Sequence, residues 1–150
     1  MQYTYGMDYQ VSDQGEILVI PRGKEVLKEL ADYAAAHTLQ GAWIQGIGGA
    51  ERVTIGFYDI ASKVYHWRTI TEPLEILSLH GNLAWVDEKP VWHIHGTFSG
   101  ADFQVIGGHV KELVVGLTCE LLVVHTAQTF TRAHDDETGL QLLRALASKE

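Results

Sequence analysis

The stretch LEILSLHGNLAWVDEKPVWHIHGTF, residues 74–98, decides the predicted fold class. It holds two runs, Leu74 to Trp85 and Val91 to Phe98, in which apolar, β-branched and aromatic residues are frequent, as they are in strands. Polar residues and Pro90 separate the two runs, which is typical of a turn. The stretch therefore predicts two β-strands with a turn between them.

The rest of the chain repeats this alternation of short apolar runs and turn residues, and so predicts a large sheet. The further predicted strands are Tyr3 to Val11, Glu16 to Ile20, Ala42 to Ile47, Val53 to Tyr58, Val64 to Thr71, Phe103 to Ile106 and Leu113 to Thr118. A closing hairpin is predicted from Glu120 to His125 and Gln128 to Arg132. The glycine-rich segment Gly46-Ile47-Gly48-Gly49 predicts a tight turn between strands, because no lysine or helical pattern follows it as in a nucleotide-binding loop.

Two segments have helical patterns. The clearer one runs from Lys24 to His37, and its apolar residues recur on one face: Val26, Leu27, Leu30, Tyr33 and Ala34. The other, Leu140 to Leu146, predicts a terminal helix. Together with the strands, these helices predict an α+β fold, in which one or two helices accompany a mixed, mainly antiparallel β-sheet. Its length of 150 residues fits a single domain, residues 1–150.

Composition excludes some classes of protein and disfavours others. Cys119 is the only cysteine, so neither an internal disulfide nor a cysteine-based zinc finger can form. The formal net charge is −8, from 11 basic and 19 acidic residues, which disfavours direct binding to DNA phosphates. The sequence shows neither a signal-peptide pattern nor an apolar run of membrane-spanning length, so no membrane partner is expected. We therefore expect a soluble, cytoplasmic protein.

Three histidines form the most informative chemical pattern. His93 and His95 alternate along a predicted strand and so lie on the same face, with Cα atoms about 6.5–7 Å apart. His109 follows after enough residues for a turn and an antiparallel return, which would bring a third imidazole beside the pair. Three histidines with an open fourth position are typical of a reactive metal centre, because the ion can bind water or a substrate oxygen there. Neutral imidazole suits zinc, and also nickel, copper or iron.

Other polar residues near this pattern have two open interpretations each. His80 shares strand parity with Ile76 and Ser78, so it either lines the same cavity, as a possible fourth ligand, or is a solvated strand residue. Glu75 opens an apolar strand; it either pairs with an arginine such as Arg68 or is placed for acid–base chemistry.

The order of several motifs resembles the PPC domain family (plant and prokaryote conserved, also called DUF296). The motifs are Gly46 to Ala50, Pro73 to Asn82, Lys89-Pro90, His93-Ile94-His95, Gly107-Gly108-His109-Val110 and Gly116 to Leu121. The resemblance implies a homotrimer with a metal site, usually zinc, at His93, His95 and His109. His80 departs from the family pattern, in which a small residue is expected. The fold also looks similar to that of acetolactate decarboxylase, a zinc enzyme. That likeness implies that a nearby Glu and Arg handle protons and a substrate carboxylate, and Glu75 and Arg68 are the candidate catalytic residues here.

Three hypotheses about function remain at this point. The first is a metal-containing homotrimeric binding or regulatory module, whose partner is another protein or a small-molecule ligand. The second is a metal-dependent enzyme, a lyase or hydrolase, that acts on a small oxygenated anionic substrate. The third is DNA binding, the usual label of bacterial family members. The chain's acidity and its lack of an AT-hook sequence disfavour this third hypothesis.

Overall fold

The computed structural model describes residues 8–12 and 15–144. Within these residues the chain forms one helix and a single nine-stranded sheet, in agreement with the predicted mixed, mainly antiparallel architecture. The elements in chain order are β1 (Asp8–Ser12), β2 (Gly15–Pro21), α1 (Val26–His37), β3 (Gly41–Asp59), β4 (Val64–Ile70), β5 (Leu74–Val86), β6 (Lys89–Ser99), β7 (Val105–Thr126), β8 (Thr131–His134) and β9 (Gln141–Arg144). No helix in these ranges has the length and apolarity needed to cross a membrane.

Four strands pair in a closed ring. β3 pairs with β5 and with β7, and β6 pairs with both β5 and β7, all in antiparallel register. The ring closes because β3 and β7 are long, 19 and 22 residues, so that different parts of one strand meet different partners. β4 extends the pairing at the carboxyl end of β3, and β2 pairs with β7 and with β1. This closed arrangement fixes β5, β6 and β7 side by side.

The main apolar core lies inside this ring and against α1. Leu83, Ile94 and Ile44 are fully or almost fully buried, as are Leu30 and Val26 of the helix. Trp92 of β6 connects the four-stranded ring to α1, because its indole Nε1 donates a hydrogen bond to the carbonyl oxygen of Leu30 at 3.0 Å. Residues on the opposite face of β6, including the two histidines, therefore point away from the core.

The helix begins at Val26, two residues later than its first predicted residue. Glu25 is the N-cap, and its carboxylate accepts hydrogen bonds from the backbone N–H groups of Leu27 and Lys28. The same carboxylate accepts from the N–H of Leu113 at 3.1 Å, and so joins the helix start to β7. Thr38, in the left-handed conformation, ends the helix at the predicted position.

The prediction of a tight turn at Gly46 to Gly49 is wrong. These residues lie inside β3, where the register against β5 shifts between Gly46 and Gly48. A side chain at Gly48 would place its Cβ only 2.1 Å from the carbonyl oxygen of Thr118 on β7. Glycine is needed here for the close approach of two backbones rather than for a turn.

The chain after residue 110 also differs from its prediction. Leu113 to Thr118 and Glu120 to His125 belong to one strand, β7, so the predicted closing hairpin with Gln128 to Arg132 does not form. The predicted terminal helix is wrong for Gln141 to Arg144, which form β9 and pair with β8; residues 145–150 lie outside the described ranges. The apolar pattern there is too short to separate a strand from a helix, and pairing with β8 decides the outcome. Residues 3–7 of the first predicted strand are likewise outside the described ranges.

Candidate metal centre

Strand alternation and register bring the three predicted histidines together. His93 and His95 lie two residues apart on β6, and the register of β6 against β7 places His95 directly opposite His109. One ring nitrogen from each residue lies within 4.8 Å of one from each of the others. The ring centroids are 4.9 Å apart for His93 and His95, 5.0 Å for His93 and His109, and 5.5 Å for His95 and His109. This cluster could hold a metal ion.

An aromatic wall from β4 stands beside His109. Gly56 of β3 lies between His109 and Trp67 in the sheet, and a Cβ at Gly56 would meet the Trp67 ring at 2.5 Å. The glycine thus lets the indole lie across β3 towards the site, where its centroid is 6.0 Å from that of His109. Tyr65 stacks on Trp67 at 4.6 Å and lies 5.2 Å from His109. The wall limits how far the His109 ring can turn.

Arg132 of β8 contacts the cluster through His93. The sequence does not identify it as a site residue. Its Nη2 donates to Asn82 Oδ1 at 2.7 Å and lies 3.1 Å from His93 Nδ1. Its Nη1 donates to the carbonyl oxygen of Gln141 at 3.1 Å. Asn82 sits opposite His93 in the β5–β6 register and is 7% exposed, so it fixes the guanidinium beside the histidine.

These contacts determine the proton position on His93 when its ring is neutral. A guanidinium can only donate, so His93 Nδ1 accepts from Arg132. The ring proton then lies on Nε2, which is 3.1 Å from His95 Nε2 and donates to it. The ring is thereby turned so that its Nε2 faces the cluster.

Two histidines of the cluster, His93 and His109, are held in the neutral form that metal ligands need. Burial, then the charges of Arg132, His109 and His95, lower the pKa of His93 to about 4. Burial is also the main cause that lowers the pKa of His109, followed by the charges of His95 and Arg132. Protons therefore compete weakly for the nitrogens of these two residues near neutral pH.

A metal ion fits this donor set. His109 Nδ1 is buried and has no hydrogen-bond partner among the described residues, which is unusual for a buried polar atom and is consistent with a missing ligand contact. Three imidazole nitrogens suit zinc, copper, nickel or iron. Three protein ligands, rather than four, leave a position for a further ligand.

An open cleft of about 460 Å³ adjoins the cluster. His93, His109 and Tyr65 line one side, and Arg132 and the β8–β9 segment line another. A cleft of this size is in the range of small-molecule sites. The arrangement can therefore place a small molecule beside an ion held by the three histidines.

His80 is not part of the three-residue cluster. It lies opposite His95 in the β5–β6 register, so these two side chains are on the same face. The predicted parity with Ile76 is wrong, because the register shifts between Ile76 and Ser78 and Ile76 is buried in the core. The His80 ring, however, is exposed, and its Nδ1 lies 2.8 Å from the Ser78 hydroxyl on its own strand. The structure therefore gives three ligands rather than four among the residues it describes.

The structure does not bring Glu75 and Arg68 to the cluster. Glu75 lines a different cleft, with Arg22 and Phe103. Arg68 lies on β4 beside Trp67, and strand alternation points it to the opposite face. Neither residue has an ion pair in the part of the chain that the structure describes, and their catalytic role stays a prediction.

The comparisons with known proteins agree with this fold. The family model of the Plants and Prokaryotes Conserved (PCC) domain matches residues 7–127. A structure of a candidate DNA-binding protein from Ralstonia eutropha is 32% identical, with a TM-score of 0.86, over 92% of this chain and 96% of that one. A metal-containing protein from Archaeoglobus fulgidus is also 32% identical, with a TM-score of 0.81, over 97% of this chain and 100% of that one.

A more distant likeness concerns the fold alone. The α-acetolactate decarboxylase of Bacillus subtilis is 12% identical, with a TM-score of 0.56, over 92% of this chain and 73% of that one. None of the curated proteins compared with this chain matches it. Because the family model covers most of the chain and relatives at 32% identity share its whole fold, the chain belongs to the Plants and Prokaryotes Conserved domain family.

Proposed function

We propose that this chain is a zinc-binding protein whose three-histidine site serves a homotrimeric binding or regulatory module, with a small molecule or another protein as its partner. The observation that carries the proposal is the convergence of His93, His95 and His109 within 4.8 Å beside an open cleft. The neutral imidazoles favour a borderline-soft ion such as zinc. The Archaeoglobus fulgidus relative described as metal-containing supports the same view. A cytoplasmic location belongs to the proposal, supported by the buried free thiol of Cys119.

Metal content tests the site. Untagged protein, incubated with zinc and freed of excess, is expected to contain close to one zinc per chain by elemental analysis. His93→Ala and His109→Ala each remove one of three ligands and are expected to lose the ion. His66→Ala is the matched control, since His66 is an exposed histidine on β4 outside the cluster. Wild-type protein that holds no metal after this treatment would contradict the proposal.

The trimer is supported by apolar side chains on the outer face of the sheet. Ile17, Ile47 and Leu77 are 40%, 56% and 46% exposed and line one groove. Trp43 and Val124, which lie opposite each other on β3 and β7, are 48% and 40% exposed. Such grouped exposure is typical of surfaces that associate. Native mass spectrometry is expected to show three chains, and Ile47→Glu to give monomers; a monomeric wild-type protein would refute the trimer.

A second candidate function is a metal-dependent lyase or hydrolase for a small oxygenated anion. The cleft beside His93 and His109 favours it, because a substrate there can reach the open side of the cluster. The ion would supply Lewis-acid polarisation of a substrate oxygen. Zinc-loaded protein is assayed for turnover of small hydroxy- and keto-carboxylates and esters, with His95→Ala as the inactive control. Turnover that equals that of His95→Ala across the panel would favour the binding module.

A further inference from the structure

Arg132 has an unusual environment for a half-buried guanidinium. Its three hydrogen-bond contacts are all to uncharged groups: Asn82, His93 and the Gln141 carbonyl. Its Nε is buried and has no hydrogen-bond partner among the described residues. Placing a cation out of water is costly unless an anion compensates it. No carboxylate within the described ranges forms an ion pair with Arg132, although Asp87 and Glu88 line a neighbouring cleft with it.

The cleft around Arg132 is locally basic in an acidic protein. The chain has a net charge of −8, yet no Asp or Glu lines this cleft among the described residues. Two carboxylates of the β8–β9 segment have partners other than Arg132. Asp135 accepts hydrogen bonds from Thr138, and Asp136 lies 3.4 Å from His134. An anion that enters the cleft meets the guanidinium without repulsion from a lining carboxylate.

Ligation by His93 would also free a donor of Arg132. When His93 Nε2 is a ligand, the proton of its neutral ring lies on Nδ1. Nδ1 then no longer accepts from Arg132. Two donors would face each other at 3.1 Å, so the guanidinium must turn away and its Nη2 proton needs another acceptor. An anionic oxygen in the cleft provides that acceptor.

The other walls of the cleft are apolar. Val86, Val91, Leu140 and Leu142 line it together with Trp92. Inorganic phosphate would leave these side chains without a partner, whereas an organic anion with a short hydrocarbon body would cover them.

We propose that this cleft binds a small organic carboxylate, whose carboxylate group is held by Arg132 and whose apolar body lies against Val86, Val91, Leu140 and Leu142. The inference deepens the proposed function, because it names the ligand class of the same site. Its test is nevertheless separate, since anion binding and metal content are measured independently.

Isothermal titration calorimetry with hexanoate, acetate, hexanamide and inorganic phosphate tests the proposal on zinc-loaded and zinc-free protein. Hexanoate is expected to bind more tightly than the other three probes. Arg132→Gln is expected to weaken hexanoate binding about tenfold or more, since a charge-assisted hydrogen bond is lost. Arg144→Gln is the matched control, because Arg144 lies on the same hairpin but is exposed, donates to the His134 carbonyl and does not line the cleft.

A second pair of variants tests the apolar wall. Leu142→Ala is expected to weaken the binding of hexanoate more than that of acetate, because Leu142 is an apolar residue that lines the cleft. Leu143→Ala is its control, since Leu143 is 42% exposed and does not line the cleft.

Three results would overturn the proposal. The first is hexanoate affinity in Arg132→Gln equal to that of the wild type. The second is equal binding of hexanamide, which lacks the charge. The third is that Arg132→Gln and Arg132→Lys both lose zinc binding as well as hexanoate binding. That result would make Arg132 a positioning residue for His93. If the wild type binds hexanoate through Arg132 but holds no zinc, the metal proposal fails while the carboxylate site stands.

Discussion

Cys119 shows how burial controls reactivity at the scale of one residue. Its side chain is fully buried on β7, and desolvation, followed by the charge of Glu120, raises the pKa of the thiol to about 12. The thiolate is the reactive form, and an unburied cysteine reaches it near pH 8.5. In the folded protein Cys119 therefore remains a thiol across the neutral and mildly alkaline range.

We expect the native protein to resist a disulfide-exchange reagent such as DTNB near pH 8.5. In urea the same protein is expected to release one equivalent of thionitrobenzoate per chain, because Cys119 is its only cysteine. Ser62→Cys, at an exposed position, is the control and is expected to react at once in the native state. Complete reaction of native wild-type protein at the rate of this control would contradict the burial of Cys119.

The histidine cluster and Arg132 differ in how far the sequence predicts them. His93 and His95 follow from strand alternation, and His109 needs only one antiparallel return, so local rules suffice. Arg132 reaches His93 through β8, whose contact with β5 is a single parallel pairing of Trp85 with Thr131. No local pattern encodes that contact, since it depends on where the chain returns after β7.

At the scale of elements, the glycine-rich segment of β3 shows close backbone packing. Gly48 of β3 pairs with Cys119 of β7, and an added Cβ would lie 2.1 Å from the Thr118 carbonyl oxygen. This obstacle is backbone in the middle of a sheet, so it cannot move aside as a flexible side chain could.

Gly48→Ala is expected to destabilise the protein by about 1–3 kcal/mol, the usual cost of overpacking. Urea unfolding measures this loss as a lower midpoint. Gly100→Ala is the control, because its Cβ would meet Leu74 at 3.6 Å, an ordinary contact. Equal midpoints for the two variants would show that β3 and β7 are not closely packed at Gly48.

Elements with a clear local period are predicted correctly from the sequence, whereas elements that depend on pairing with distant strands are not. The helix and the strands from β4 to β6 follow from periodicity, which is a local property. The terminal segment fails because four residues, Gln141–Arg144, are too few to show a period, and their pairing with β8 makes them a strand. The sequence predicts several short strands where the structure has the single strand β7. The irregularities along β7 are register shifts against β3 and not turns.

At the scale of the whole molecule, the charge distribution opposes binding to nucleic acid. The net charge is −8, and several basic side chains are already paired with carboxylates. Lys28 lies 2.7 Å from Asp32, Arg52 lies 2.5 Å from Glu112, and Lys24 lies 3.3 Å from Glu29. DNA binding requires unpaired cations on one face to replace the counterions of the phosphates. The Ralstonia eutropha relative is described as a candidate DNA-binding protein, and the electrostatics of this chain predict that it does not share that property.

We expect no binding of a fluorescent random-sequence DNA duplex at micromolar protein and about 50 mM salt, where electrostatic binding is strongest. Fluorescence anisotropy measures this, with a small basic DNA-binding protein as the positive control. An assembly of identical chains multiplies the negative charge, so a trimer would repel the duplex more than a monomer does. Anisotropy that rises with protein and falls steeply with added salt would overturn this prediction, because that slope reports phosphate contacts. A rise that does not depend on salt would also overturn it, and would point to contacts with the bases rather than with the backbone.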